Sequence, residues 1–415
     1  MPLVWVRVIP KVGRHSPFEI TLTPALSRIT GRGGKRFIRH NRRYARQVFP
    51  GRLPWMFLLP RQIIRRMRIA LFLLMAVALG TLAFGAERPA DNQALRKAFH
   101  HLIDRPVVDL APVLRAMPDY RGLAETHLVF TAEPGQPVPA IILRSRSVKA
   151  GTRMPVVIVL HGTGGRKEDN LPLLARLADK GFLAIAMDGR YHGERCKKGR
   201  GTDDYYAAIA KAYADGASHP WLYDTVFDVT RLIDYLQTRD DVDPARIGLI
   251  GFSKGGMETY LAAAMDPRIA VAVPCIAVQS FAYELDNNLW HGRIGTVRGA
   301  FDAAAKSDGI THPDSQFVRH FYDKVIPGIY GRFDCPSVLP MICPRPLLII
   351  NGDKDPINPL AGTKIATDAA IAAYTAAGKL DHFKAIVEPH TGHAVNAQST
   401  DEAIDWLSRW LINGG

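Results

Sequence analysis

Residues 246–257, RIGLIGFSKGGM, decide the fold. A short apolar run rich in Ile ends at Gly251-Phe252-Ser253-Lys254-Gly255-Gly256, and helical periodicity begins at Met257. Strand, sharp turn and helix in that order predict a parallel strand feeding a crossover helix. A serine at such a turn takes a strained backbone conformation, so its neighbours must lack side chains, which Gly251, Gly255 and Gly256 do. The hydroxyl then stands above the sheet at a helix N-terminus, whose dipole favours developing negative charge. In this context Ser253 is the candidate nucleophile.

The pattern extends outward on both sides. Apolar runs with β-branched content occur at 127–131, 138–144, 155–160, 182–187, 269–277, 346–351 and 383–388. Helical periodicity occupies 171–179, 225–236, 257–265, 361–377 and 401–411. Several of the strands are continuously apolar, as strands covered on both faces must be. The expected architecture is an α/β, mostly parallel, doubly wound sheet over residues 125–415. Residues 87–124 form a helical or loose lead-in broken by Pro106, Pro112 and Pro118. Between about 278 and 345 the alternation stops, and the chain becomes rich in aromatics, His and Pro. An excursion of that length predicts a helical cap insertion, with structural padding as the alternative. Its aromatics, Trp290 among them, could form a stacking surface for substrate or belong to a core.

An alkoxide needs a base, and the base an orienting acid. After the strand at 346–351 comes Gly352-Asp353-Lys354-Asp355-Pro356. Pro356 holds the preceding residue extended and off the strand, which favours Asp355 as the acid, with Asp353 as the alternative. After the last strand comes Glu388-Pro389-His390-Thr391-Gly392-His393; His393, behind the glycine, is the candidate base and His390 its rival. Chain order is then Ser, Asp, His. The oxyanion donors are expected from the N–H of Lys254 and from the loop His161-Gly162-Thr163-Gly164-Gly165, with Thr163 first and Gly162 or Gly164 beside it. That loop lacks the GK[ST] ending of a phosphate-binding loop, and the His390/His393 pair lacks an HExxH helix, so neither a nucleotide cofactor nor a metal is expected.

The motifs GFSKGG, HGTGG, NGDKDP and TGHAV, with 188–195 (DGRYHGER) and 344–348 (PRPLL), resemble those of the dienelactone hydrolase and acetyl-xylan-esterase branch of the α/β-hydrolase superfamily. The resemblance spans about residues 125–413 and implies an α/β-hydrolase fold, an esterase activity and Ser253, Asp355 and His393 as a triad. Dienelactone hydrolases proper carry a cysteine where Ser253 stands, which argues for other carboxylic esters, such as small acyl or acetyl esters including those of carbohydrates. Lys254 also departs from the usual small or apolar residue, and is expected either to bias the pocket towards anionic or hydroxylated substrates or to sit solvated at the rim. His161, Arg190, His192 and Trp290 are the candidate pocket residues; Arg190, His192 and Glu194 lie where ligands bind in such sheets, or pin the loop by ion pairs. A prolyl-oligopeptidase-type peptidase shares the fold, but residues before 125 are too few for a propeller. A non-catalytic binding protein would not need all three triad roles filled.

The net charge of +14 belongs to the N-terminus. Residues 1–66 hold fifteen Lys and Arg against Glu19 alone, and the remaining 349 hold 38 basic and 38 acidic groups. The body therefore offers no bulk electrostatic case for nucleic acid. Met67-Arg68, the apolar run 69–79 and the small residues to Ala86 follow the layout of a secretory signal peptide, so Met67 is the expected start and a periplasmic or secreted enzyme the expected product. An uncleaved anchor behind a basic tail, with the hydrolase domain outside, is the alternative and the only one that gives it a membrane partner. Export would permit disulfides among Cys196, Cys275, Cys335 and Cys343, without the spacing choosing a pairing.

Overall fold

A computed structural model describes residues 18–19, 89–149, 151–197 and 201–414. The basic segment, apart from Phe18–Glu19, and the expected signal peptide at 67–86 lie outside the described residues. The strands are β1 (Phe18–Glu19), β2 (Val113–Ala116), β3 (Ala124–Glu133), β4 (Gln136–Arg144), β5 (Met154–Leu160), β6 (Leu183–Met187), β7 (Val242–Phe252), β8 (Ile269–Cys275), β9 (Leu347–Gly352) and β10 (Phe383–Glu388). They form one sheet in the order β1-β10-β9-β8-β7-β5-β6-β4-β3-β2. From β6 through β10 every pairing among β5–β10 is parallel; β2, β3 and β4 run antiparallel at one edge, and β1 adds antiparallel at the other.

The period-two alternation of strand side chains builds two cores. Val156, Ile158 and Leu160 of β5, with Leu183, Ile185 and Met187 of β6, enter one hydrophobic cluster. Val157, Val159, Ala184 and Ala186, between them, enter the other. Helices Tyr223–Gln237 and Lys254–Met265 cover the first face; Leu171–Asp179 and Ala397–Leu411 cover the second. A side chain at Gly248 would run into Leu411 and Leu407 of the terminal helix, so the absence of one lets that helix sit close against the sheet.

Two elements escape the sequence pattern. The lead-in contains β2, whose four residues are all exposed, so no buried alternation marks it. Helix Asp203–Asp215 lies in the connection from β6 to β7, ahead of helix Tyr223–Gln237, and packs on the insertion. The insertion itself is helical, with Phe281–Asp286, His291–Gly295, Arg298–Ser307, Ser315–Val325 and Cys335–Val338. Its Phe301, Phe317, Phe321 and Tyr322 bury into the first-face cluster together with Trp221 and Tyr213. No helix among the described residues is long and apolar enough to cross a membrane.

Candidate active site

The turn after β7 brings the first residue into place. Ser253 has φ 54° and caps helix Lys254–Met265, and its N–H donates to the Cys275 carbonyl at 2.9 Å. The glycines around it are required by close approach: a Cβ on Gly251 would collide with the Gly255 carbonyl, one on Gly255 with the Leu160 carbonyl, and one on Gly256 with Ala277. The strained turn is therefore held by backbone packed against backbone.

Two more loops leave the carboxyl ends of β9 and β10. His393 Nδ1 stands 2.8 Å from Asp355 Oδ2, and its Nε2 stands 2.7 Å from Ser253 Oγ. A carboxylate only accepts, so Nδ1 carries the proton and Nε2 accepts from the serine hydroxyl. Asp355 is buried and receives two further hydrogen bonds, from Ile357 N–H to Oδ1 at 2.8 Å and from Asn358 Nδ2 to Oδ2 at 2.7 Å. Burial alone would push its carboxyl up, but the hydrogen bonds from His393 and Asn358 hold it below the usual carboxylate range. The rivals stand elsewhere. Asp353 Oδ1 accepts the Thr391 N–H at 3.1 Å and so closes the turn between the two loops, while His390 is exposed, with φ 54°.

The loop after β5 lies directly beside the serine. A Cβ on Gly162 would touch Ser253 Cβ and the Phe252 carbonyl at 3.4 Å, and the Gly165 N–H donates back to the Gly162 carbonyl at 3.1 Å, closing a tight turn around Thr163 and Gly164. Gly164 adopts φ 76°, which suits glycine. Lys254 opens its helix, where a backbone N–H has no intrahelical acceptor. Gly162 and Lys254 therefore border the serine from both sides, and Thr163 follows in the turn that Gly162 opens.

The side chain of Lys254 corrects both expectations for it. It is only 1% exposed, and its ammonium lies 2.6 Å from Glu258 one helical turn on, with the Tyr205 ring 6.0 Å away. It is an interior ion pair, neither solvated nor at the rim. Burial pushes the Glu258 carboxyl up to about 7 against the pull of Lys254.

The candidate pocket residues are likewise interior. Arg190 forms a two-pronged pair with Asp228, both contacts 2.8 Å, and reaches Glu133 at 2.6 Å. Arg195 joins the same Asp228 at 2.6 Å. One strand end away, Asp188 accepts from Lys167 Nζ and N–H at 2.9 Å each and from Glu194 N–H at 3.0 Å. Of the two roles expected for Arg190 and Glu194, the geometry matches loop pinning. His161 donates Nδ1–H to the Gly162 carbonyl at 2.8 Å and accepts the Gly189 N–H on Nε2 at 3.0 Å. Burial and the nearby Lys254 push its pKa down to about 3, so it is a neutral brace for the loop. His192 is fully buried, donates Nδ1–H to the Arg190 carbonyl at 2.7 Å, and is pushed well below its ordinary value by burial. Trp290 is 4% exposed; it stacks on His291 at 3.7 Å and donates its indole N–H to Asn288 at 2.8 Å. With Phe317 and Tyr322 it belongs to the core of the insertion, so these aromatics do not present a stacking surface. All four cysteines are free thiols, Cys275 and Cys335 buried. No cluster of three or more His, Cys, Asp or Glu able to hold a metal ion occurs among the described residues.

Sequence reasoning missed Asn358 and Arg293. Arg293 Nη2 donates to Asn358 Oδ1 at 2.6 Å. Asn358 follows the acid by three residues and could have been suspected from that spacing, whereas Arg293, in the insertion, offered no local signal.

The sheet order and the placement of the three loops are those of the α/β-hydrolase fold. The dienelactone hydrolase family matches residues 139–282, and over that stretch the chain is similar to it. Among curated relatives, YtaP of Bacillus subtilis, named as a hydrolase, is 28% identical over 45% of this chain and 53% of its own length. YitV of the same organism, named as an esterase, is 24% identical over 62% of this chain and 90% of its own. Among solved structures, an acetyl xylan esterase from Paenibacillus sp. R4 has the same fold, with a TM-score of 0.55 at 18% identity over 78% of this chain and 96% of that one.

Proposed function

We propose that this protein hydrolyses carboxylic esters through an acyl-enzyme on Ser253. The observation that carries the reading is the unbroken hydrogen-bonded series Asp355–His393–Ser253, at 2.8 and 2.7 Å, ending on a hydroxyl whose backbone is strained at φ 54°. In the reaction Ser253 Oγ attacks the ester carbonyl carbon while its proton passes to His393 Nε2, and Asp355 stabilises the imidazolium without taking a proton itself. The carbonyl oxygen becomes an oxyanion, received by the N–H groups of Thr163 and Lys254. Collapse breaks the bond to the alcohol, which leaves with the proton from His393. Water, deprotonated by His393, then attacks the acyl-enzyme, and its collapse releases the acid and returns the proton to Ser253.

The esterase name of YitV and the fold shared with an acetyl xylan esterase support small acyl or acetyl esters, including those on carbohydrate, as the substrate class. The charged start, apolar middle and small-residue end of 67–86 support action outside the cytoplasm; N-terminal mapping of the native protein tests it, and a mature chain beginning before Met67 would overturn it. The activity is tested on p-nitrophenyl acetate and longer acyl esters, with Ser253→Ala and a fluorophosphonate probe. The variant is expected to lose several orders of magnitude of turnover and all labelling. Wild-type turnover in Ser253→Ala sinks the mechanism.

A further inference from the structure

Arg293 lies on the short insertion helix His291–Gly295 and is 1% exposed. Its nearest carboxylate, Glu284, is 3.9 Å away, already engaged by Tyr322 at 2.8 Å and by Gln279. The close contacts of Arg293 go instead to the loop that carries Asp355. Nη2 donates to Ile357 O at 3.2 Å and to Asn358 Oδ1 at 2.6 Å. These two residues supply the donors that hold the acid: Ile357 N–H grips Asp355 Oδ1, and Asn358 Nδ2 grips Oδ2, the oxygen that also receives His393 Nδ1–H.

A guanidinium has donors only, so it dictates which end of an amide faces it. With Oδ1 of Asn358 turned to Arg293, Nδ2 must face Asp355 and the Ile276 carbonyl, which it meets at 2.8 Å. The flipped amide would set oxygen against carboxylate and NH2 against guanidinium. The helix is also seated tightly here: a Cβ on Gly292 would collide with the Pro356 carbonyl.

We propose that Arg293 is a positioning residue for ester hydrolysis: through Ile357 and Asn358 it aims the Asp355 carboxylate at His393, so the insertion completes the triad from behind. This rests on the serine-hydrolase reading above. It is not a catalytic residue, since it touches neither Ser253 nor His393.

The test measures kcat and KM on p-nitrophenyl acetate for wild type, Arg293→Met, Arg293→Lys, Asn358→Leu and the Arg293→Met/Asn358→Leu double variant, with thermal unfolding alongside. Misplacing a reacting group by an ångström can cost about a hundredfold, so Arg293→Met is expected to lower kcat by up to about a hundredfold with KM little changed. Arg293→Lys, which keeps donors only, should recover part of that loss. The double variant should be no slower than Asn358→Leu, because both changes break one chain of contacts. Wild-type kcat in folded Arg293→Met, or losses that multiply in the double variant, overturns the proposal. Should Arg293→Met fail to fold, Asn358→Asp keeps a partner for Arg293 but removes the amide donor; it should lower kcat, and wild-type kcat there overturns the proposal equally. A wild type inert towards esters, or as active with Ser253→Ala, would instead sink the underlying reading. A wild type abolished by Ser253→Ala yet indifferent to Arg293→Met and Asn358→Asp sinks only this inference.

Discussion

Two polar clusters sit at the carboxyl edge of the same sheet. One runs Arg293–Asn358–Asp355–His393–Ser253; the other joins Asp188, Arg190, Glu194 and Arg195 to Lys167, Asp228 and Glu133. Both are dense with charge, and both occupy loop positions where ligands bind in such folds. They differ in how they end. In the second cluster donors and acceptors close upon each other, Asp228 holding two guanidinium groups and Asp188 three donors. In the first, the series terminates on a hydroxyl with a partner on one side only, carried by a residue at positive φ. Charge at a strand end is thus a weak sign of a site; a relay that ends on a nucleophile is a strong one.

The comparison can be broken by substitution. The largest effect belongs to the relay: His393→Ala, and Asp355→Asn with the wrong tautomer it imposes, should each lower kcat/KM by on the order of 10⁴-fold while the melting temperature moves little. Asp353→Asn should retain most activity; ester assays that rank Asp353→Asn below Asp355→Asn would reassign the acid. The closed cluster should respond in stability. Among the described residues, Asp228→Asn leaves Arg190 with Glu133 as its one carboxylate and Arg195 with none, a loss of roughly 3–5 kcal/mol by denaturant titration, with near-normal turnover per folded molecule. A tenfold drop in kcat without destabilisation would move that cluster into the site.

Smaller effects probe the border between the two. Lys254→Met keeps the backbone N–H proposed to receive the substrate oxygen. It leaves Glu258 to take up a proton, at a cost of about 1–3 kcal/mol in unfolding experiments near neutral pH and only a fewfold change in kcat. The smallest expected effect is a pH slope. The folded pKa of His161 is depressed to about 3, so between its ordinary value of 6.5 and 3 the unfolded chain binds a proton that the folded chain refuses. Its contribution to stability is therefore full above pH 6.5 and is lost as pH falls towards 3. His161→Gln should flatten the acid side of the stability curve, read from thermal melts at pH 7, 6 and 5; an unchanged slope would remove His161 from the acid response.

Much of the site was legible because its determinants are local. The glycines at 251, 255 and 256 are demanded by one turn, and the order Ser253, Asp355, His393 follows from which strand each loop leaves. Choosing Asp355 over Asp353 rested on Pro356, and the structure points Asp355 at His393 while Asp353 caps the Thr391 turn. Lys254, Arg190 and Trp290 were illegible for the opposite reason. Spacing allows an i,i+4 pair between Lys254 and Glu258 but does not bury it, and Arg190 meets Asp228 and Glu133 at separations of 38 and 57 residues; whether such a side chain faces a pocket or the interior is set by the packing around it. The same holds for Arg293, which lies 65 residues before Asn358.

The sequence alone determined the alternation of the buried strands with their crossover helices, the strained serine turn and the residue types able to form an acyl-transfer relay, because period, glycine placement and proline placement act over a few residues. Only the tertiary structure decided which buried charges neutralise each other, that the insertion's aromatics are core, and that its arginine reaches the acid loop. Those outcomes rest on long-range packing, where a donor is defined by whichever acceptor the fold brings within about 3 Å of it.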